Sequence, residues 1–295
     1  MWQAYEIPTS VEEALGILAQ YDGQARLIAG GTDLIIELQE GKCDDVGCLV
    51  DVTRIPGLDR IDREGDWIVL GAGVTFRQIK ESCLLHERAR ALAEAAASVG
   101  ALQIQTVATL AGNVASALPA ADGSVALVAL DAEVEVASLS GKGWKPIGDL
   151  FLGPGKSAVD PTRQMITAIR FPVLQAGQGS AWERIGRRRT LVLPILNCAA
   201  SIAVDGGGDR IEWARIGLGP VAPVPFRAHQ TEAFLAGQPA AEETFIQAGE
   251  IAAGEAHPRS SLLRASKEYR TEVLKVLVRK ALERATAQAR GQAAA

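Results

Sequence analysis

The chain is short of cysteine and histidine, and it has no unbroken apolar run long enough to cross a bilayer. Each shortage removes a class of function. The four cysteines, Cys43, Cys48, Cys83 and Cys198, form no C-x-x-C pair, and the three histidines, His86, His229 and His257, are scattered. Zinc and iron–sulfur sites need such ligands at short spacing, so no intrinsic metal centre is expected, and the thiols read as buried or loop residues in a reducing compartment. The best apolar candidate, residues 191–204, is too short for a span of about 20 residues and carries Pro194 and Asn197. Met1, Trp2, Gln3 and the residues after them lack the basic and apolar regions of an export signal, so a cytoplasmic location is expected. No G-x-S-x-G, Walker loop or acid/base pair stands out, and no residue is assigned a catalytic role. With 30 basic against 35 acidic residues the net charge is −5, which gives no reason to expect a nucleic acid partner.

At 295 residues and 48% apolar content, the chain is long enough for two domains with real cores. Two glycine-containing stretches organise it. The first is Leu27, Ile28, Ala29, Gly30, Gly31, Thr32, Asp33 and Leu34, an apolar strand that reaches two glycines and then opens a helix. The second is Thr109, Leu110, Ala111, Gly112 and Asn113, with Pro119 and Asp122 beyond it. Glycine has no Cβ, so it takes positive φ readily and bares successive N–H groups to a diphosphate. Thr32 and Asp33 are N-cap residue types, which places the first loop on a helix N-terminus, where an anion is favoured. Thr106, Thr109 and Ser116 bring hydroxyls to the second loop, and Asp122 is a candidate acceptor for a ribityl or ribose hydroxyl. Alone, Gly30 and Gly31 fit a plain tight strand-to-helix turn better than a cradle; the second loop is what favours a paired cradle.

A short strand at 5–7 precedes a capping box from Ser10 to Glu13, which opens an amphipathic helix to about Tyr21. Strands at 25–29 and 48–52 flank a helix ending at Gly41, giving a small α/β unit to about residue 55. The strand at 66–73 ends in G-x-G, but Phe76 stands at the sixth position of a dinucleotide fingerprint and no acidic residue follows at the right distance, so a structural turn is expected. Residues 86–98 read as one alanine-rich helix, 101–107 as extended, and 123–130 as a buried helix. Residues 131–137 alternate as a half-exposed strand, 151–156 form a loop, and 165–171 close the sheet. The polar stretch 175–180 is the clearest composition break and the expected domain boundary. Strands at 181–186, 196–204 and 211–218, with a hairpin turn at 205–209, then lead to helices at 231–235, 241–253 and 266–287. Strands followed by helices imply an α+β domain whose sheet is covered on one face.

The pair AGGTDL (29–34) and TLAGNVASALPAAD (109–122), in this order, resembles the FAD-binding subunits of the molybdenum hydroxylases, the family of xanthine dehydrogenase and the medium subunits of aerobic carbon monoxide dehydrogenase. WERIGRRR (182–189), RIGLGPVAPVPFRA (215–228) and ASKEYRTEVLKVLVRKAL (265–282) extend the likeness over almost the whole chain. The resemblance implies a two-lobed FAD-binding domain of the PCMH and vanillyl-alcohol-oxidase type over 1–175, its lobes dividing near residue 55. A CO-dehydrogenase-flavoprotein-like α+β domain over 180–287 follows. It implies that FAD meets Leu27 through Leu34 and Thr109 through Asn113, with Thr106 and Asp122 close by. Val99, Ile166 and Arg184 match positions near the isoalloxazine or adenine. It also implies partners: a large molybdopterin-binding subunit and a small [2Fe-2S] subunit, assembled as a dimer of heterotrimers. Electrons would reach FAD from the iron–sulfur clusters and leave to NAD, a quinone or oxygen.

The sequence departs from the family pattern in places. Val99 stands where some relatives have an aromatic ring, Arg184 where many bacterial relatives have lysine, and Leu118 where serine is common. After the arginine cluster the chain reads TLVLP (190–194) in place of an acidic residue, which leaves the electron acceptor open. Arg184, Arg187, Arg188 and Arg189 form a positive patch, either a solvated turn or a surface for an acidic iron–sulfur partner. The terminal helix, with Arg264, Lys267, Arg270, Lys275, Arg279, Lys280 and Arg284, reads as an amphipathic cover helix. Three rival readings stand beside this one: a self-sufficient FAD-dependent reductase of the same fold, a Rossmann NAD-binding module resting on Gly71 and Gly73, and a scaffold that has lost its flavin.

Overall fold

Strands β1 (Ala4–Glu6), β2 (Ala25–Ile28) and β3 (Cys48–Asp51) pair in the order β1-β3-β2, all parallel, with Cys48 opposite both Ala4 and Ala25. Parallel neighbours need crossovers, and helices α1 (Val11–Gln20) and α2 (Leu34–Gln39) lie in them. Cys48, Leu49 and Val50 of the central strand are fully buried. The computed structural model describes residues 2–43, 45–188, 190–261 and 265–291. The box expected at the start of α1 is half formed: the Ser10 hydroxyl accepts from the Glu13 N–H at 3.1 Å, while the Glu13 carboxylate turns to the Thr9 N–H at 2.7 Å.

β4 (Ile61–Glu64) and β5 (Trp67–Gly71) lead into six helices: α3 (Phe76–Glu81), α4 (Cys83–Arg88), α5 (Arg90–Ser98), α6 (Leu102–Gln105), α7 (Leu110–Ala115) and α8 (Asp122–Ala129). The chain then returns through β6 (Glu133–Ser138), β7 (Gly141–Pro146), a small hairpin of β8 (Phe151–Gly153) and β9 (Lys156–Ser157), and β10 (Met165–Pro172). The larger sheet has the order β4-β5-β10-β6-β7 and is antiparallel throughout. Its inner face, Ile68, Leu70, Val134, Val136, Ile169 and Phe171, shares one core with Leu92, Leu110, Val125 and Leu127 of the helices. On its other face the Arg170 guanidinium sits over Trp67 at 4.4 Å and Trp144 at 4.1 Å while bonding Glu133, a ladder in which each cation–π contact contributes about 0.5–1 kcal/mol.

A second antiparallel sheet follows, β11 (Gln178–Ile185), β12 (Leu196–Val204), β13 (Ile211–Gly219) and β14 (Phe226–Arg227), in sequence order. Helices α9 (His229–Leu235), α10 (Glu242–Glu255) and α11 (Lys267–Ala289) come after it. Ala200, Ile202, Ile216 and Leu218 pack with Leu274, Val278 and Leu282 on one face. The other face is covered too, which corrects the single-sided sheet expected from sequence. Trp182 and Ala199 belong to the core of the first half, and α5 and α8 pack on β11 and on β12 and β13. Every residue of β12 is buried, as a strand sandwiched between two helical layers must be.

Three local expectations also fail, each for a tertiary reason. The alanine-rich helix is two helices, broken at Ala89 with φ −158° and ψ 50°. The Ala91 N–H at the start of α5 is taken by the Ser180 hydroxyl at 3.1 Å, so the second helix is capped from β11. The expected extended segment 101–107 contains α6, because Gln105 folds back to donate to the Ala97 and Val99 carbonyls at 3.1 and 2.9 Å. Strand β11 starts at Gln178, inside the polar stretch, and not at 181. The G-x-G of β5 is a packing device, since a Cβ on Gly71 would stand 2.2 Å from the Leu58 carbonyl oxygen and the strand runs antiparallel to both neighbours. Arg189 and Arg264 lie outside the described residues.

Candidate flavin site

β2 runs out at Ile28 and the backbone turns through Gly30 and Gly31, the latter at φ +65°, where a side chain is strained. Gly30 lies so flat against residues 107 and 108 that a Cβ on it would stand 2.1 Å from the Val107 carbonyl oxygen. Those residues lead straight into α7, so the two glycine stretches meet. A second tie joins them: the Ser116 hydroxyl at the end of α7 donates to the Asp33 carboxylate at 2.9 Å. The meeting place is anchored from the turn between β5 and α3 as well, with the Leu110 N–H donating to the Val74 carbonyl at 3.0 Å and the Phe76 N–H to the Ala108 carbonyl at 3.1 Å.

Two details differ from the sequence reading. Asp33 is in the αR region and makes no cap to α2; its carboxylate is spent on Ser116, leaving the first amides of the short helix without a side-chain partner from it. Gly112 and Asn113 are not in a loop. They lie within α7, whose N-cap Thr109 accepts from the Gly112 N–H at 3.0 Å, and Gly112 faces solvent. Asn113 accepts from the Ser124 N–H at 3.2 Å, which fixes α8 beside α7.

Asp122, the first residue of α8, is only 6% exposed. Its Oδ1 accepts from Asn197 Nδ2 of β12 at 2.6 Å, and its Oδ2 lies 3.5 Å from Arg184 Nε of β11. The Ser98 hydroxyl, which donates to the Ala95 carbonyl at 2.7 Å, also interacts with this carboxylate. Burial pushes the Asp122 carboxyl up from its ordinary range, against the pull of Arg184, Asn197 and Ser98. Arg184 also donates to the Val192 carbonyl and its side chain is only 10% exposed, which separates it from the exposed patch it was read with. Arg188 turns into its own loop, donating through Nε to the Leu191 carbonyl at 3.1 Å, and the Leu191 N–H reaches the Gly100 carbonyl at 3.0 Å.

The remaining expected residues fall nearby with different commitments. Val99 ends α5, and its carbonyl is held by Gln105. Ile166 is on β10, against which α7 packs. The Thr106 hydroxyl is given to the Gln103 carbonyl at 2.7 Å, so it is not a free donor to the glycine stretches. Leu27, Ala29, Thr32 and Leu34 line the turn as half-buried residues, with Ile28, Leu110 and Ala111 buried beneath. The residues that sequence reasoning missed are Asn197, Ser98 and Gln105. A lone amide in the mostly apolar stretch 196–204 was the available signal for Asn197.

The set suits a dinucleotide cofactor. It offers a flat backbone surface at Gly30 and Gly31, a helix start whose Gly112 has no side chain, and two buried polar atoms beside Asp122, Arg184 Nε and Asn197 Oδ1, that have no hydrogen-bond partner among the described residues. Unsatisfied buried polar atoms call for a reason, and a ligand is one. Among the described residues no cluster of three or more His, Cys, Asp or Glu is placed to hold a metal, and no helix is long and apolar enough to cross a membrane.

Residues 2–174 match the description "FAD binding domain in molybdopterin dehydrogenase", and residues 182–285 match "CO dehydrogenase flavoprotein C-terminal domain". Similar proteins include the xanthine dehydrogenase FAD-binding subunit of Escherichia coli O157:H7, 30% identical with 98% of each chain covered. The nicotinate dehydrogenase FAD-subunit of Eubacterium barkeri is 32% identical over 80% of each chain. A solved structure of carbon monoxide dehydrogenase from Hydrogenophaga pseudoflava, lacking the Mo-pyranopterin moiety of its cofactor, superposes with a TM-score of 0.90 at 29% identity over 98% of both chains.

Proposed function

Because the chain belongs to the FAD-binding subunits of the molybdenum hydroxylases, oxidoreductases whose matching domain binds FAD, we propose that it is the flavin-carrying electron-transfer subunit of a multi-subunit dehydrogenase. Residues 1–175 form its flavin domain and 180–287 its C-terminal domain. The observation that carries the reading is the contact of Gly30 with the backbone at Val107, which makes one cradle of two distant stretches. Gly30, Gly31, Thr32 and Gly112 would hold the diphosphate side of FAD, and Asp122 and Arg184 would meet its polar edge. Bound there, FAD supplies reversible electron storage between one-electron carriers and a two-electron acceptor. The protein's own part is to bind, orient and shield: a backbone cradle fixes the cofactor, and the buried Asp122 with the largely covered Arg184 sets a charged edge in a low-dielectric wall.

The partners follow from the same reading: a large molybdopterin-binding subunit and a small [2Fe-2S] subunit, in a cytoplasmic dimer of heterotrimers, with NAD, a quinone or oxygen as acceptor. The relatives are themselves named as subunits or medium chains. The test is purification of the native assembly. A yellow complex with FAD stoichiometric to this chain and two further polypeptides is expected. A colourless chain that refuses FAD on titration overturns the reading, and a lone yellow chain turning over NAD(P)H with a small substrate favours the self-sufficient reductase.

A further inference from the structure

Asn197 comes from β12, in the half of the chain outside the residues matched as the FAD binding domain, yet its side chain reaches the carboxylate of Asp122 at the start of α8. It is wholly buried, its Nδ2 donates to Asp122 at 2.6 Å, and its Oδ1 has no partner among the described residues. A buried amide left half satisfied costs about 1–3 kcal/mol, so its presence in a strand whose only other side-chain oxygen is the Ser201 hydroxyl needs a reason. The strand leaves it no freedom. A Cβ on Gly219, its cross-strand neighbour, would stand 2.5 Å from Asn197 Oδ1, so only glycine admits the amide in this position. Arg184, on the other neighbouring strand and directly opposite Asn197 in register, approaches the second oxygen of Asp122 at 3.5 Å, too long for a good hydrogen bond. The hydrogen bond from the Asn197 amide is therefore shorter and better formed than the contact from Arg184, which is placed by charge beside the carboxylate.

Resting on the flavin reading above, we propose that Asn197 is a positioning residue for FAD: it holds the Asp122 carboxylate, and through it the Arg184 guanidinium, so that the C-terminal sheet completes the cofactor site. Asn197 acts through Asp122. The groups facing that carboxylate are Arg184 from β11, Asn197 from β12 and Ser98 from the end of α5, and Arg184 is the charged one.

The experiment is FAD titration of the deflavinated full-length chain by fluorescence quenching, with thermal unfolding of each apoprotein alongside. N197A should weaken FAD binding about tenfold or more, the size expected for a hydrogen bond to a charged group. On a D122N background the same change should have little further effect, because the two residues act as a unit. N197D supplies a second, independent reading. Two adjacent carboxylates share one proton at low pH and repel when both ionise, so its FAD affinity should fall as the pH rises from about 5 to 8, a slope absent from the wild type. If the wild type binds FAD tightly and N197A binds within twofold of it, the inference fails while the flavin reading stands. It fails equally if N197A and D122N are additive, or if N197D shows no pH slope, the latter deciding should N197A not fold. A wild-type chain that refuses FAD defeats the flavin reading itself.

Discussion

A single missing carbon distinguishes the two sides of the cradle. Gly30 touches backbone, with the Val107 oxygen 2.1 Å from where its Cβ would be, and backbone cannot swing aside. Gly112 meets only the Thr109 hydroxyl at 3.1 Å, within a helical turn where alanine is favoured over glycine by about 1 kcal/mol. The two substitutions should therefore part company. G30A is expected to lower both the melting temperature of the apoprotein and its FAD content, because it pries the glycine stretches apart. G112A is expected to leave the apoprotein as stable as the wild type or slightly more so, while FAD affinity falls because a methyl now stands on the surface offered to the cofactor. Melting curves with and without FAD separate the effects, and a G112A chain with unchanged FAD stabilisation would remove Gly112 from the site. Gly31 was legible in sequence as a residue needing positive φ; the contact of Gly30 was not, since its partner lies far along the chain.

At the level of elements, the sequence was a good guide wherever an element is decided by its own periodicity. β12 and β13 differ by at most one residue from their expected limits, and the terminal helix begins after Ser266 as its cap residue dictates. It misled wherever a distant residue sets the boundary. Alanine propensity favours one helix over 86–98, but Ala89 breaks it because Ser180, on a strand in the other half, claims the Ala91 N–H. Gly112 and Asn113 look like loop residues until Thr109 caps them into a helix, and the capping hydroxyl was visible while the helix was not. In the same way Asp122 and Arg184 were identified singly, and Asn197 between them was not, because strand register and not spacing brings it there. The long-range cap can be measured. S180A leaves the Ala91 N–H buried without its partner, and losses of such caps cost about 0.5–2 kcal/mol. Urea denaturation should show a loss in that range with an unchanged slope, and a value near zero would mean that the break at Ala89 is held by core packing alone.

On the scale of the whole chain, the two halves share a core, and the question is what couples them. Polar contacts cross the seam: Glu94 of α5 accepts from the Trp182 N–H at 3.1 Å and from Arg284 of α11 at 2.5 Å, and Gln288 of α11 donates to the Glu87 carbonyl at 3.2 Å. Arg284 and Glu94 are both partly exposed, and ion pairs of that kind contribute about 1 kcal/mol or less. Trp182 is 5% exposed and sits on the C-terminal sheet within the core of the first half, where truncating a large aromatic costs about 3–5 kcal/mol. Apolar packing therefore outweighs the charges as the coupling agent. The wild type is expected to unfold in one calorimetric transition, with FAD released in the same step, because Asp122 and Arg184 stand on opposite sides of the seam. E94Q should lower the midpoint slightly and keep a single transition. W182A should lower it far more and split it in two, with FAD leaving in the first. Two transitions already present in the wild type would show that the halves are not coupled, and a W182A chain that still melts as one unit would show that something other than this buried ring couples them.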